Sequence, residues 1–351
     1  GITNDGTNLY VVDTGNQLIR KIVIDNGTVT TLAGSSSGFA DGTGTAAKFN
    51  TPKGITTDGA NLYVVDKENN KIRKIGIDNG TVTTLAGGSG VFNSPQKITI
   101  SGTNLYVSDK YNHRIRKIVI STGAVTTLAG TGSAGSSDAD GTSASFNEPY
   151  GITSAGTSLY VVDSANHKIR KIALTETETE NVALHNLDDD TDITVAVSSS
   201  DTGEATVGPA TLTFTEDNWE TPQTVTVTGV NDNNSDGHQE YEVGLSAKRT
   251  EIDFEKENPE VTTFAGSSQG STDATGTSAK FANPNGVTAD GTNLYVVDQS
   301  NHRIRKIVIS TGVVTTLAGS SSGYADSTDG TGLSASFKEP AGITTDGTNL
   351  Y

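Results

Sequence analysis

One phrase governs what this chain can fold into. GITxDGTNLYVVDxxNxxIRKIVI…VTTLAG begins at Gly1, Gly54, Lys97, Gly151 and Gly286, and starts a sixth time at Gly342. Copies in that number mean one supersecondary unit repeated, with each unit burying against its neighbours a surface it cannot bury alone. A side chain present in every copy is expected to hold the unit together. One present in a single copy is a candidate for something else.

The first copy predicts four antiparallel strands. Gly1-Ile2-Thr3 is a short strand, and Asn4-Asp5-Gly6-Thr7-Asn8 a hairpin turn. Leu9-Tyr10-Val11-Val12 is apolar on both faces, as a strand sandwiched between two sheets must be. Ile19–Ile24 and Val29–Ala33 complete the set around the Asn26-Gly27 turn signal. Four strands per unit of roughly 43–56 residues describe the blade of a β-propeller. Between units runs a Gly/Ser-rich loop ending in Phe49…Pro52, Phe92…Pro95, Phe146…Pro149, Phe281…Pro284 and Phe337…Pro340. The Phe is expected to plug the gap between blades and the Pro to fix the start of the next strand. Most of these loops carry Asp-Gly (Asp41-Gly42, Asp140-Gly141, Asp329-Gly330), replaced by Thr275-Gly276 in one. The second loop is about ten residues shorter than the others.

Following Leu-Tyr-Val, the run Asp-x-x-Asn-His-x-Ile-Arg-Lys-Ile occurs at Asp109–Arg116, Asp163–Arg170 and Asp298–Arg305, with Gln17 and Asn70 at the His position of the first two copies. This pattern resembles the NHL-repeat family of β-propellers. The resemblance implies an all-β propeller, six-bladed with an incomplete last blade, a five-bladed ring being the alternative. Three of the five histidines share one repeat position. Because Gln and Asn replace His there, a turn-capping role fits better than metal ligation or catalysis.

After Leu174 the expected hairpin turn is missing, and the repeat resumes at Val261. The chain therefore divides into propeller residues 1–174 and 259–351 around an insert at 175–258. Hairpin tips accept insertions because the two chain ends stay close. The insert alternates apolar and polar residues at Ile193–Val197, Ala210–Phe214, Gln223–Thr228 and Tyr241–Leu245, which predicts a small β-sandwich. It resembles the Calx-β-like and immunoglobulin-like modules of bacterial surface proteins, in which Trp219 would be a packing residue. It holds 20 Asp and Glu against 3 Lys and Arg, which accounts for the whole net charge of −17.

Asp232-Asn233-Asn234-Ser235-Asp236-Gly237 matches the opening of a calcium loop. Asp232, Asn234, Asp236 and Glu240, with Glu176 added by the resemblance, are the candidate calcium ligands; Val243 stands where the usual twelfth-position Glu would be.

A basic stripe for nucleic acid is absent, and so is any run of about 18 apolar residues that could span a membrane. Cys 0 excludes disulfides, and Met 0 is expected of a processed piece of a longer chain. A cysteine-free, acidic, Thr/Ser/Asp-rich repeat chain fits an extracellular or cell-surface location. The expected function is a non-enzymatic scaffold or adhesion-type protein whose partners are other protein chains. Self-association through the open half-blade at Gly342–Tyr351 is part of that expectation. The alternative is recognition of a glycan or peptide by aromatics that differ between copies on the long-loop face: Phe39, Tyr111, Tyr150 and Tyr324. A metal-dependent lyase or hydrolase, known among NHL-type propellers, would need inward His or carboxylate ligands. The inner strands instead read Gly-Ile-Thr, Gly-Val-Thr and, once, Lys97-Ile98-Thr99.

Overall fold

A computed structural model describes residues 1–88, 90–174, 177–182, 193–199, 205–215, 218, 221–229, 243–245, 259–320 and 329–351. The chain divides into two compact units, 1–173 with 259–351, and 174–258. No helix among the described residues is long and apolar enough to cross a membrane.

The first unit is built of antiparallel sheets, one per repeat. Blade 1 comprises Ile2–Asn4, Asn8–Asp13, Leu18–Val23 and Val29–Gly34, hydrogen-bonded in that order. Blade 2 begins at Pro52–Thr57, blade 3 at Pro95–Ser101, blade 4 at Pro149–Ala155 and blade 5 at Pro284–Ala289, each repeating the same order outward. Blade 4 closes with Glu260–Ala265, so the insert replaces the turn between its third and fourth strands. The second strands of blades 2, 3 and 4 are buried on both faces, whereas that of blade 1 alternates, with Leu9 and Val11 half-buried. Leu62, Tyr63, Val64 and Val65 are all inaccessible to solvent, as are Leu159, Val161 and Val162. Phe49, Phe146 and Phe281 are fully buried between neighbouring blades and Phe92 nearly so, while each of the four prolines at Pro52, Pro95, Pro149 and Pro284 starts a strand.

The ring holds five blades, not six. Ten residues of the sixth copy cannot make a four-stranded sheet, and Gly342–Tyr351 forms only an isolated bridge, Thr345 to Leu350. The open half-blade edge expected there is therefore not a strand. The segment packs between the two ends of the ring instead: Asn4 Nδ2 donates to the Thr345 carbonyl at 2.9 Å, and the Ala341 carbonyl lies against Gly286.

Among the described residues, the second unit contains two three-stranded sheets. One is ordered Thr177–Val182, Gln223–Gly229, Ala205–Gly208, and the other Thr211–Phe214, Ile193–Ser199, Val243–Leu245. Its alternation buries Leu212, Phe214, Val225 and Val227. Trp219 and the calcium candidates Glu176, Asp232, Asn234, Asp236 and Glu240 lie outside the described residues, as does Tyr324.

Candidate functional site

The recurring polar residues are spent on joining blades. Arg73 is fully buried at the junction of blades 1 and 2. Its Nη1 meets Asp66 at 2.7 Å and its Nη2 meets Asp41 of the junction loop at 2.6 Å. The same guanidinium donates to the Lys48 and Ala40 carbonyls and lies 5.2 Å from the Phe49 ring. Arg170 repeats the arrangement with Asp163, Asp138 and Phe146, and Arg305 with Asp298, Asp273 and Phe281. A guanidinium is suited to this node because its planar fork satisfies carboxylates and carbonyls together. The aspartate that matters stands three residues before the Gly of a Gly-Thr-(Ala/Ser)-Ala run. It is Asp138, not Asp140, in the third loop and Asp273, not a Thr275-Gly276 remnant, in the fourth.

The histidines also act between blades. His113, His167 and His302 adopt left-handed backbone, and each Nδ1 accepts an N–H from the next junction: Glu148 at 3.2 Å, Asn283 at 3.2 Å and Glu339 at 3.1 Å. Gln17 accepts from Thr51 and Asn70 from Ser94 in the first two copies. The five donors are themselves left-handed, so ten non-glycine residues hold this uncommon conformation in five bonded pairs. The capping expected within one turn is thus a bond across a junction. Protonated on Nε2, the imidazole presents Nδ1 as an acceptor, which an amide oxygen can imitate.

The hub is a cavity of about 160 Å³. Thr3, Thr56, Thr99, Thr153, Thr288 and Thr344 line it, with Lys97 the one charged side chain. No His or carboxylate lines it, and no group of three or more metal-ligating side chains occurs among the described residues. Glycine precedes Ile or Val in blades 1, 2, 4 and 5, where the inner strands approach closely. A Cβ on Gly151 would stand 2.3 Å from the Asn285 carbonyl and 2.9 Å from a Val162 methyl. Lys97 has a Cβ, and the residue opposite is Ser108 where other blades have valine. Ser108 Oγ accepts the Lys97 N–H at 3.0 Å and reaches the Tyr150 carbonyl across the junction. Burial pushes the Lys97 ammonium down to about 8, and Lys53 nearby adds to the effect.

The described aromatics that vary between copies fall at two junctions. Phe39 is 51 % exposed beside Lys71 and Arg73, each 4.9 Å from its ring. Tyr111 is also 51 % exposed and lies near Tyr150 through one cation: Lys110 Nζ is 4.9 Å from the Tyr111 ring and 6.0 Å from that of Tyr150. Glu148 holds the same ammonium at 3.0 Å. Burial works against that charge, but the bond from Glu148 outweighs it and raises the Lys110 pKa. Sequence comparison picked out both tyrosines, but not the lysine between them.

No family model matches the chain. A stretch of 87 residues is 38 % identical to NHL repeat-containing protein 2 of Gallus gallus, over 24 % of this chain and 12 % of that protein. The Bos taurus protein of the same name matches at 36 % over 80 residues, 22 % of this chain and 11 % of the relative. The matched part is thus a small fraction of the relatives' length. Among solved structures, a protein of unknown function from Bacteroides thetaiotaomicron superposes with a TM-score of 0.58 at 20 % identity, covering 99 % of this chain and 64 % of that one. An auxiliary nutrient binding protein from the same organism gives 0.56 at 15 % identity, covering 98 % and 63 %. The chain has a β-propeller fold with partial NHL-repeat homology.

Proposed function

We propose that this chain is a non-enzymatic interaction scaffold, carried at the cell surface or outside the cell, that binds a protein or glycan partner on its long-loop face. The observation that supports it most is the Tyr111–Lys110–Tyr150 group. These are non-repeated side chains at one junction, while the repeated polar residues are engaged in joining blades. Two aromatic faces and an ammonium suit a peptide or a sugar, since both present apolar surface edged with polar atoms. A hub of hydroxyls and one lysine supports this reading over a metal-dependent lyase or hydrolase, which would need ligands the lining residues do not offer.

The acidic insert is read as a β-sandwich spacer that calcium stiffens through Asp232, Asn234, Asp236, Glu240 and Glu176. Calcium binding only the folded insert would raise its melting midpoint over a chelator control.

A peptide and glycan array probed with the chain and with a Tyr111→Ala/Tyr150→Ala variant tests the binding face. Ligands bound by the parent and lost by the variant, with circular dichroism unchanged, are expected. Equal binding by both proteins would contradict the assignment.

A further inference from the structure

The hub carries a charge that the repeat does not require. Lys97 stands where blades 1, 2, 4 and 5 have glycine, and Ser108 stands in place of valine beside it. The Lys97 side chain lines the central cavity of about 160 Å³, and no carboxylate is among the lining residues. The ammonium makes no ion pair or hydrogen bond among the described residues. Burial, with the Lys53 charge added to it, holds the ammonium below the ordinary lysine value, and no acidic group counters them. The Gly1 amine lies with the two lysines. Burial and both charges push it down to about 4, so it adds no charge at neutral pH. The hydroxyls around the cavity are free as well. Thr3, Thr56, Thr153, Thr288 and Thr344 share one repeat position and line the cavity, and their Oγ atoms make no hydrogen bond among the described residues. Thr99, the sixth of the set, has the Ser154 hydroxyl at 3.4 Å. An ammonium held out of bulk water with no counter-charge costs free energy that an anion would recover.

We propose that the hub is a binding pocket for a small hydroxycarboxylate, whose carboxylate pairs with Lys97 and whose hydroxyls bond the ring of threonines. The ammonium sets the sign of the ligand, because a charged donor bonds a carboxylate more strongly than it bonds a neutral acceptor. The cavity sets its size. An engineered cavity of about 150 Å³ holds benzene, so the hub takes a molecule with a short carbon skeleton. One ammonium in the wall suits a singly charged carboxylate better than a phosphate dianion, for which the lining offers neither a guanidinium nor a second cation. Threonine hydroxyls both donate and accept, which matches the alcohol groups of such a ligand. The Tyr111–Lys110–Tyr150 group contributes nothing to the lining, so the pocket stands independently of the loop-face reading.

Isothermal titration of the full chain with sodium glycerate at pH 7, and in parallel with inorganic phosphate, tests the pocket. Saturable binding of glycerate at one site is expected. Lys97→Met keeps the aliphatic stem and removes the charge, and should weaken glycerate about tenfold or more, as loss of a charge-assisted hydrogen bond requires. Lys97→Gly/Ser108→Val removes the ammonium while restoring the neighbours' pairing, and should weaken it likewise. It gives a second reading should Lys97→Met fail to fold. No saturable binding of glycerate, or binding that both variants leave unchanged, would overturn the pocket. Tighter binding of phosphate than of glycerate would overturn the ligand class. Array binding through Tyr111 and Tyr150 is read separately, so failure at the hub with intact array binding leaves the scaffold function standing.

Discussion

Ser108 makes room for Lys97. Where the other inner strands have glycine opposite valine, blade 3 has lysine opposite serine, and Ser108 Oγ accepts the Lys97 N–H. The two exceptions are one coupled change, because a Cβ at the glycine position meets a valine methyl at 2.9 Å in blade 4. Ser108→Val is expected to cost about 1–3 kcal/mol by overpacking. Lys97→Gly/Ser108→Val, which restores the neighbours' pairing, should recover much of it. Urea unfolding of the two single variants and the double variant checks this as a cycle; strict additivity would show the pair to be independent.

The arginine nodes differ in weight. Arg170 and Arg305 each neutralise a wholly buried aspartate and tie down a loop, so Arg305→Ala leaves Asp298 buried without its charge partner. Loss of one member of such a pair costs about 3–5 kcal/mol. Arg116, with Asp109 at 3.8 Å and no loop carboxylate, should cost visibly less on the same substitution. Chemical denaturation of Arg305→Ala and Arg116→Ala side by side checks the order.

Imidazole Nδ1 at the junction acts as an acceptor. His113→Gln should unfold at nearly the parent's denaturant midpoint, because Gln17 makes the same bond in the first copy. His113→Ala leaves the Glu148 N–H without its partner and should cost about 1 kcal/mol. Equal loss from both substitutions would point to a role for the ring itself.

Acid should loosen the aspartate turns first. Burial works against the Asp5 carboxylate, but hydrogen bonds from Asn8 and Tyr10 outweigh it and bring its pKa down to about 2. Asp58 and Asp290 are lowered by the same bonds in their own turns. A carboxyl whose folded pKa lies below its unfolded value of about 3.9 stabilises at neutral pH and loses that contribution as pH falls toward the folded pKa. The window is therefore about pH 4 to 2. Blades 3 and 4 carry Ser101 and Ala155 at this position. An Asp5→Ser/Asp58→Ser/Asp290→Ser variant should lose less melting temperature across that window than the parent does.

Much of the blade was legible from the residues. Strand order, the buried Tyr and Leu, the Phe plug and the Pro start all follow from local pattern, and local pattern is what a sequence displays. The partners of the guanidinium were not, because Asp138 and Arg170 are 32 residues apart and the stronger local signal, Asp140-Gly141, marks a turn instead. The histidine role was half legible. Replacement by Gln and Asn favoured a capping role over a metal ligand, but a bond from Glu148 to His113 spans 35 residues and leaves no trace in the local motif. The family resemblance implied six blades with the last incomplete, a five-bladed ring being the alternative, and the ring has five: Gly342–Tyr351 makes a single isolated bridge. Of the site candidates, Tyr111 and Tyr150 were placed near each other by shared junction position, while Phe39 stands at a different junction.

Native-state amide exchange resolved by blade tests most directly whether the junction loops and their arginine nodes lock the ring. The Val314 N–H, bonded to the Ala274 carbonyl, should exchange only through large-scale opening, as should the Val82 region beneath Gly42 and Thr43. Arg305→Ala, which unties the Asp273 loop, should speed exchange at Val314 by at least an order of magnitude and leave the Val82 region unchanged. Protection at Val314 indifferent to Arg305→Ala would contradict the account.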